Sequence, residues 1–125
     1  MFTVTIRDHI MIAHSLKSEA FGPAQQMHGA TYVIDATFQS KNLDKNNIVI
    51  DIALAHEVLK DVIAPLNYQN LDELPQFKNI LTTTEYLAYY IHAKVAEKVS
   101  SQFSGNLKIT LGESHVAWAG YEAEI

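Results

Sequence analysis

Apolar and polar residues alternate with period two from Phe2 through Thr3, Val4, Thr5 and Ile6 to Arg7, the pattern of a half-buried strand. Ile10-Met11-Ile12-Ala13 extends it beyond an irregularity expected at Asp8-His9. Ser18 to Pro23 reads as a loop, because Gly22 and Pro23 break regular structure. Thr31 to Phe38 is rich in β-branched and aromatic residues and predicts a second strand, antiparallel to the first. A polar turn follows from Lys41 to Asn47. From Asp51 the period changes. Ile52, Ala55, Leu59, Val62 and Leu66 recur at three- and four-residue steps, which describes an amphipathic helix with Pro65 near its end. After a loop running past Pro75, Thr82 is placed to cap a second helix, with Glu85 three residues on to complete a capping box. Leu87, Ile91, Val95 and Val99 form that helix's buried stripe, and Ser104-Gly105-Asn106 ends it. Leu107–Leu111 and Val116–Tyr121 predict two closing strands around a short turn.

The resulting order, ββααββ, predicts an α+β domain in which a four-stranded antiparallel sheet carries both helices on one face. At 125 residues the chain is long enough for one core and is read as a single domain, 1–125. The sheet's second face and its edges need cover. Closure with neighbouring subunits would provide it, so a homo-oligomer is expected.

Charge and composition narrow the partners. A net charge of −5 with only nine Lys and Arg excludes nucleic acid and anionic lipid as main partners. No apolar run approaches the roughly 20 residues of a membrane span. Met1 to His9 lacks the basic-then-apolar layout of a signal peptide, which gives a cytoplasmic expectation. The absence of cysteine removes disulfides, thiolate metal sites and cysteine nucleophiles.

Four groups of residues can carry chemistry. His14 and His28 stand at facing ends of the first two strands, where two imidazoles can meet at one metal ion or each hydrogen-bond locally. His9, five residues before His14, falls on the other strand face unless a bulge intervenes. The tract Thr82-Thr83-Thr84-Glu85 is either a helix cap or a polar recognition surface. Glu113, in the last turn, is either an exposed turn residue or a carboxylate that accepts from the amino and ring N–H groups of a guanine-like heterocycle.

In their chain order these residues resemble the 6-pyruvoyl-tetrahydropterin synthase family, which includes the 6-carboxy-tetrahydropterin synthases. The resemblance is carried by Ala13-His14, His28-Gly29, Leu66 to Leu71, Thr83 to Ala88, Glu113, Trp118-Ala119 and Tyr121, and it spans essentially the whole chain. It implies the tunnelling fold, in which trimers close their sheets into a barrel and pair as hexamers with sites between subunits. The implied activity is that of a carbon-oxygen or carbon-carbon lyase on dihydroneopterin triphosphate, with zinc held by three histidines. Carried over by residue, Thr83, Thr84, Glu85 and Glu113 hold the pterin, and His14 and His28 bind metal.

The departures bear on mechanism. The family's His-Gly-His motif reads His28-Gly29-Ala30, so the third zinc ligand is missing. The family cysteine falls near Ala24, beside Gln25 and Gln26, and its Asp-His pair falls on Asn67-Tyr68. Tyr68 is the remaining candidate for proton transfer. Losing a general base typically lowers the rate by about 10²–10⁴-fold. The reading is therefore a pterin-binding, lyase-like protein with an altered catalytic set. Its alternatives are a non-catalytic pterin- or purine-binding module and a structural oligomer with no small ligand.

Overall fold

The structure, a computed structural model, describes every residue from Met1 to Ile125. Two long strands, β1 (Phe2–His14) and β2 (His28–Ser40), form an antiparallel hairpin running from Phe2 opposite Ser40 to His14 opposite His28. The register is unbroken, so the irregularity expected at Asp8-His9 is absent. Asp8 interrupts the apolar alternation, but the ladder carries it through opposite Ile34, half-buried, with its carboxylate accepting from the His9 amide at 2.7 Å. Side chains therefore keep strict parity. Ile6, Ile10, Ile12 and His14 of β1 and Tyr32, Ile34, Ala36 and Phe38 of β2 face one side and are buried, while the odd-numbered residues face the other.

Asp51 accepts a hydrogen bond from the Ala53 amide at 2.9 Å and starts α1 (Ile52–Ile63). Ala55, Leu59 and Val62 face the core as the period predicts, but Ile52, on the first turn, is exposed. The chain then makes a two-residue strand, β3 (Gln69–Asn70), parallel to β1. The sheet is consequently five-stranded and mixed, in the order β3-β1-β2-β4-β5, not four-stranded and antiparallel. A pair of residues carries no periodicity. What makes β3 is docking: the Tyr68 amide donates to the Met11 carbonyl at 2.7 Å, and Asn67 Oδ1 accepts from the Met11 amide at 3.0 Å. Short 3₁₀ turns occupy Glu19–Gln25, Leu71–Glu73 and Pro75–Phe77.

The second helix, α2 (Thr84–Val99), starts one residue later than the capping-box reading requires. Thr83 is the cap, its hydroxyl accepting from the Tyr86 amide at 3.1 Å. This leaves Glu85 one position short of the place from which it would bond back. Thr82 is free for another partner. Leu87, Ile91, Val95 and Val99 are all buried, each worth about 1.5–3 kcal/mol relative to exposure. The helix ends at Val99, before the Ser104-Gly105-Asn106 stop. Gly105 has a different task at the entry to the next strand, because a Cβ there would lie 2.3 Å from the Gln39 carbonyl oxygen.

Strands β4 (Asn106–Gly112) and β5 (Trp118–Glu124) complete the sheet, β4 pairing antiparallel with β2 and β5 with β4. The first helix packs on β1 and the second on β4 and β5, both over the even-numbered face of β1 and β2. The opposite face is open and carries a two-pronged ion pair, with Arg7 Nε and Nη2 donating to Asp35 at 2.7 and 2.9 Å. No helix is long and apolar enough to cross a membrane.

Candidate functional site

The unbroken register brings His14 and His28 directly opposite each other at the end of the hairpin. Their rings meet edge to face, centroids 4.6 Å apart. His28 Nδ1 lies 2.8 Å from the Gln26 carbonyl oxygen, which can only accept. Nδ1 is therefore the donor, so in the neutral ring it carries the proton and Nε2 the lone pair. His14 is 3% exposed, with Nδ1 2.9 Å from the Thr82 hydroxyl. Burial, and then the neighbouring His28, lower its pKa below the usual imidazole range, opposed by Asp72 and Thr82. His14 is thus neutral at neutral pH. Next to it, the Ser15 amide and hydroxyl both donate to Asp72 Oδ2, fixing the start of the loop after β1.

From His28 the inward face of β2 runs through Ala30 to Tyr32. Tyr32 is 1% exposed. Glu113 follows directly after the last β2–β4 pair, Val33–Gly112, in the turn that leads to β5, its amide donating to the Ala117 carbonyl at 3.0 Å. Burial, followed by the charges of Glu113 and Glu85, raises the Tyr32 phenol above its usual pKa, while a hydrogen bond from Thr84 works against them. The phenol is a protonated donor at neutral pH.

The Thr82–Glu85 tract therefore crosses the ends of the strands. Thr82 meets His14 over β1, and Thr84, Glu85 and Glu113 lie close enough to the Tyr32 phenol to act on its pKa. Thr83 stays at the helix start with its hydroxyl engaged in the cap. The result is a shelf with two imidazoles at one end and a phenol and two carboxylates at the other. Thr84, Glu85 and Glu113, anticipated from sequence, come together there. Tyr32, Thr82 and Asp72 were not anticipated. Tyr32 reads as one more aromatic strand residue, and the other two act through partners 68 and 57 positions away.

Tyr68 is elsewhere, on the outer edge of the sheet, 78% exposed with a positive φ of 61°. His9 points to the opposite sheet face, as the absence of a bulge requires. For a metal, the chain offers two imidazoles on the shelf. The third position in the face-to-face arrangement, residue 30, is a methyl packed against the core. No three His, Asp or Glu side chains are grouped to hold an ion. The residues present do not make the three-ligand centre that zinc ordinarily needs.

Comparison with known proteins adds three findings. A family model described as 6-pyruvoyl tetrahydropterin synthase matches residues 3–124. The chain is 29% identical over 84 residues to the 6-pyruvoyl tetrahydrobiopterin synthase of Poecilia reticulata and 30% identical over 73 residues to that of Dictyostelium discoideum. The matches take in 66% and 57% of this chain, and the chain spans just over half of those relatives, 57% and 54% of their lengths. In fold, it resembles the Caenorhabditis elegans 6-pyruvoyl tetrahydropterin synthase with a TM-score of 0.85 at 24% identity, covering 98% of this chain and 95% of that one. The Plasmodium falciparum protein gives 0.83 at 16% identity, covering 99% and 98%.

Proposed function

The chain belongs to the 6-pyruvoyl tetrahydropterin synthase family, and from that premise we propose that it binds a reduced pterin and acts as a lyase-like protein with an altered catalytic set. The substrate class we assign is dihydroneopterin triphosphate or a related reduced pterin. The observation that carries this reading is the convergence of Thr84, Glu85, Tyr32 and Glu113 at one end of the shelf. A pterin ring presents an amino group and a ring N–H side by side, and carboxylates such as Glu113 and Glu85 accept from both in charge-assisted bonds. Thr83 and Thr84 border the same place, with the buried Tyr32 behind them. The substrate's side chain would then extend toward His14 and His28. A depression of about 430 Å³ lined by Ser15, Lys17, Asp72 and Asn79 adjoins that end, and Lys17 supplies a positive charge for phosphates.

Tyr68 is the proton-transfer group we assign. Its phenol is exposed, makes no hydrogen bond within one subunit and stands at a sheet edge, where a neighbouring copy can approach. This fits a homotrimer or homohexamer with sites between subunits, working in the cytoplasm. The test is product formation from dihydroneopterin triphosphate, followed by chromatography with mass detection, with and without added zinc. Conversion that is lost in Tyr68→Phe and in His28→Ala supports the lyase reading. Conversion indifferent to both substitutions would remove those residues from the mechanism.

A second reading is favoured by one observation: Ala24, Ala30 and Asn67 occupy the places where the family has its base and ligands. It is a module that binds the pterin without converting it. Substrate retained unchanged on the protein, with binding weakened roughly tenfold or more by Glu113→Ala, is its signature, since a charge-assisted hydrogen bond is worth about 1.5–3 kcal/mol. Affinity unaffected by Glu113→Ala would refute the ring anchor in either reading.

A further inference from the structure

We propose that this chain holds no resident zinc and that the side chain at position 30 alone decides it. A histidine there would complete a three-imidazole centre whose other two members are already in place and oriented. The argument rests on strand geometry. Residues 28 and 30 project from the same face of β2, and in the register His14 opposes His28 while Ile12 opposes Ala30. An imidazole at 30 would therefore stand next to His28 and diagonal to His14, about 7–8 Å away between backbones, a gap that long side chains bridge. Two ligands at i and i+2 on one strand and a third on its neighbour would enclose one ion from three sides.

The outer contacts that such ligands need are present. A ligating imidazole generally gives its second nitrogen to a carbonyl, a carboxylate or another fixed partner. The Nδ1 of His28 is held by the Gln26 carbonyl, and that of His14 by Thr82. Both rings can then point Nε2 at a common place. What is missing is the third donor, and no other side chain takes it. His9 is on the far face of the sheet. The Asp72 carboxylate is held by two hydrogen bonds from Ser15 and is not grouped with the two histidines around a common ion position. The Ala30 methyl is apolar and packs against the core.

The measurement is zinc affinity by competition with a chelator, together with the visible absorption of Co²⁺ as a geometric probe, on the wild-type chain, Ala30→His, and Ala30→His with His28→Ala. No pterin is added, so the outcome is independent of the proposed substrate. Removing only an outer partner of a ligand lowers metal affinity roughly 10–100-fold, so adding an inner ligand is expected to tighten binding by at least about 100-fold. Ala30→His should bind one Zn²⁺ per chain and give the intense absorption of tetrahedral Co²⁺, both lost when His28 is also replaced. The wild-type chain should bind zinc weakly, and His14→Ala should change that little. Tight stoichiometric zinc on the wild type, abolished by His14→Ala or His28→Ala, would overturn the proposal. So would a folded Ala30→His, judged by circular dichroism, with no gain in affinity. If Ala30→His does not fold, the shorter Ala30→Asp supplies the third donor, and its failure to tighten zinc binding would count equally against it.

Discussion

Replacing Thr82 by Val isolates the contact that ties the threonine tract to the histidine pair. Valine matches threonine in shape, so no cavity opens, and only the hydroxyl is removed. Thr82 is 1% exposed and its oxygen lies 2.9 Å from His14 Nδ1, so the imidazole nitrogen is left buried without a partner. An orphaned buried polar group costs about 1–3 kcal/mol. The entropy of unfolding, about 2.1 cal/mol/K per residue, comes to about 0.26 kcal/mol/K for this chain. The melting temperature should therefore fall by roughly 4–12 °C, read by circular dichroism at one fixed protein concentration because any assembly adds its own dependence. Thr82→Ser keeps the hydroxyl and should retain most of the lost stability. A Thr82→Val protein as stable as the wild type, or a Thr82→Ser protein equally damaged, would show that the His14 contact contributes nothing.

Three further outcomes follow from the same geometry. Because His14 has its pKa lowered in the folded state, its contribution to stability is full above the unfolded value near 6.5 and is lost as the pH falls below it toward the folded value. The slope is at most about 1.4 kcal/mol per pH unit, and His14→Gln should flatten urea midpoints measured across that window. Tyr32, with its pKa raised, should titrate above pH 10 when followed by phenolate absorbance, and Glu113→Gln should bring it closer to 10. A Tyr32 signal unmoved by Glu113→Gln would separate the two residues. Gly105→Ala sets a methyl against the Gln39 carbonyl and should destabilise the fold by about 1–3 kcal/mol in chemical denaturation; an unaffected midpoint would mean that the β4 entry moves freely.

The hairpin and the helices were legible because their signals are local and repeated. Leu87, Ile91, Val95 and Val99 recur with the helical period and are all buried, and the strand residues from Ile6 to Phe38 obey period two through both long strands. Where one residue decided the matter, sequence was less reliable. The helix start moved from Thr82 to Thr83 because three adjacent threonines can each cap, and only the distant His14 selects which hydroxyl is engaged elsewhere. The candidate site was proposed from residue types, His14, His28, Thr83, Thr84, Glu85 and Glu113, through their order along the chain and the family it resembles. Tyr32 was not, since nothing local distinguishes a core tyrosine from one whose hydroxyl reaches a polar shelf. Tyr68, chosen by correspondence with an Asp-His pair, stands apart from the shelf in a single chain.

By itself, the sequence determined the class of the domain, the faces of its strands and helices, and the pair of histidines with an alanine where a third would stand. The first two follow from periodicity and residue identity, which are properties of neighbours along the chain, and the place of the missing third histidine is what the family resemblance implies. Only the tertiary structure decided that the sheet gains a fifth strand, that Thr82 holds His14, and that the charge of Glu113 acts on Tyr32. Each depends on groups tens of residues apart being brought together, and the energy that selects such an arrangement exists only once the surrounding core has packed.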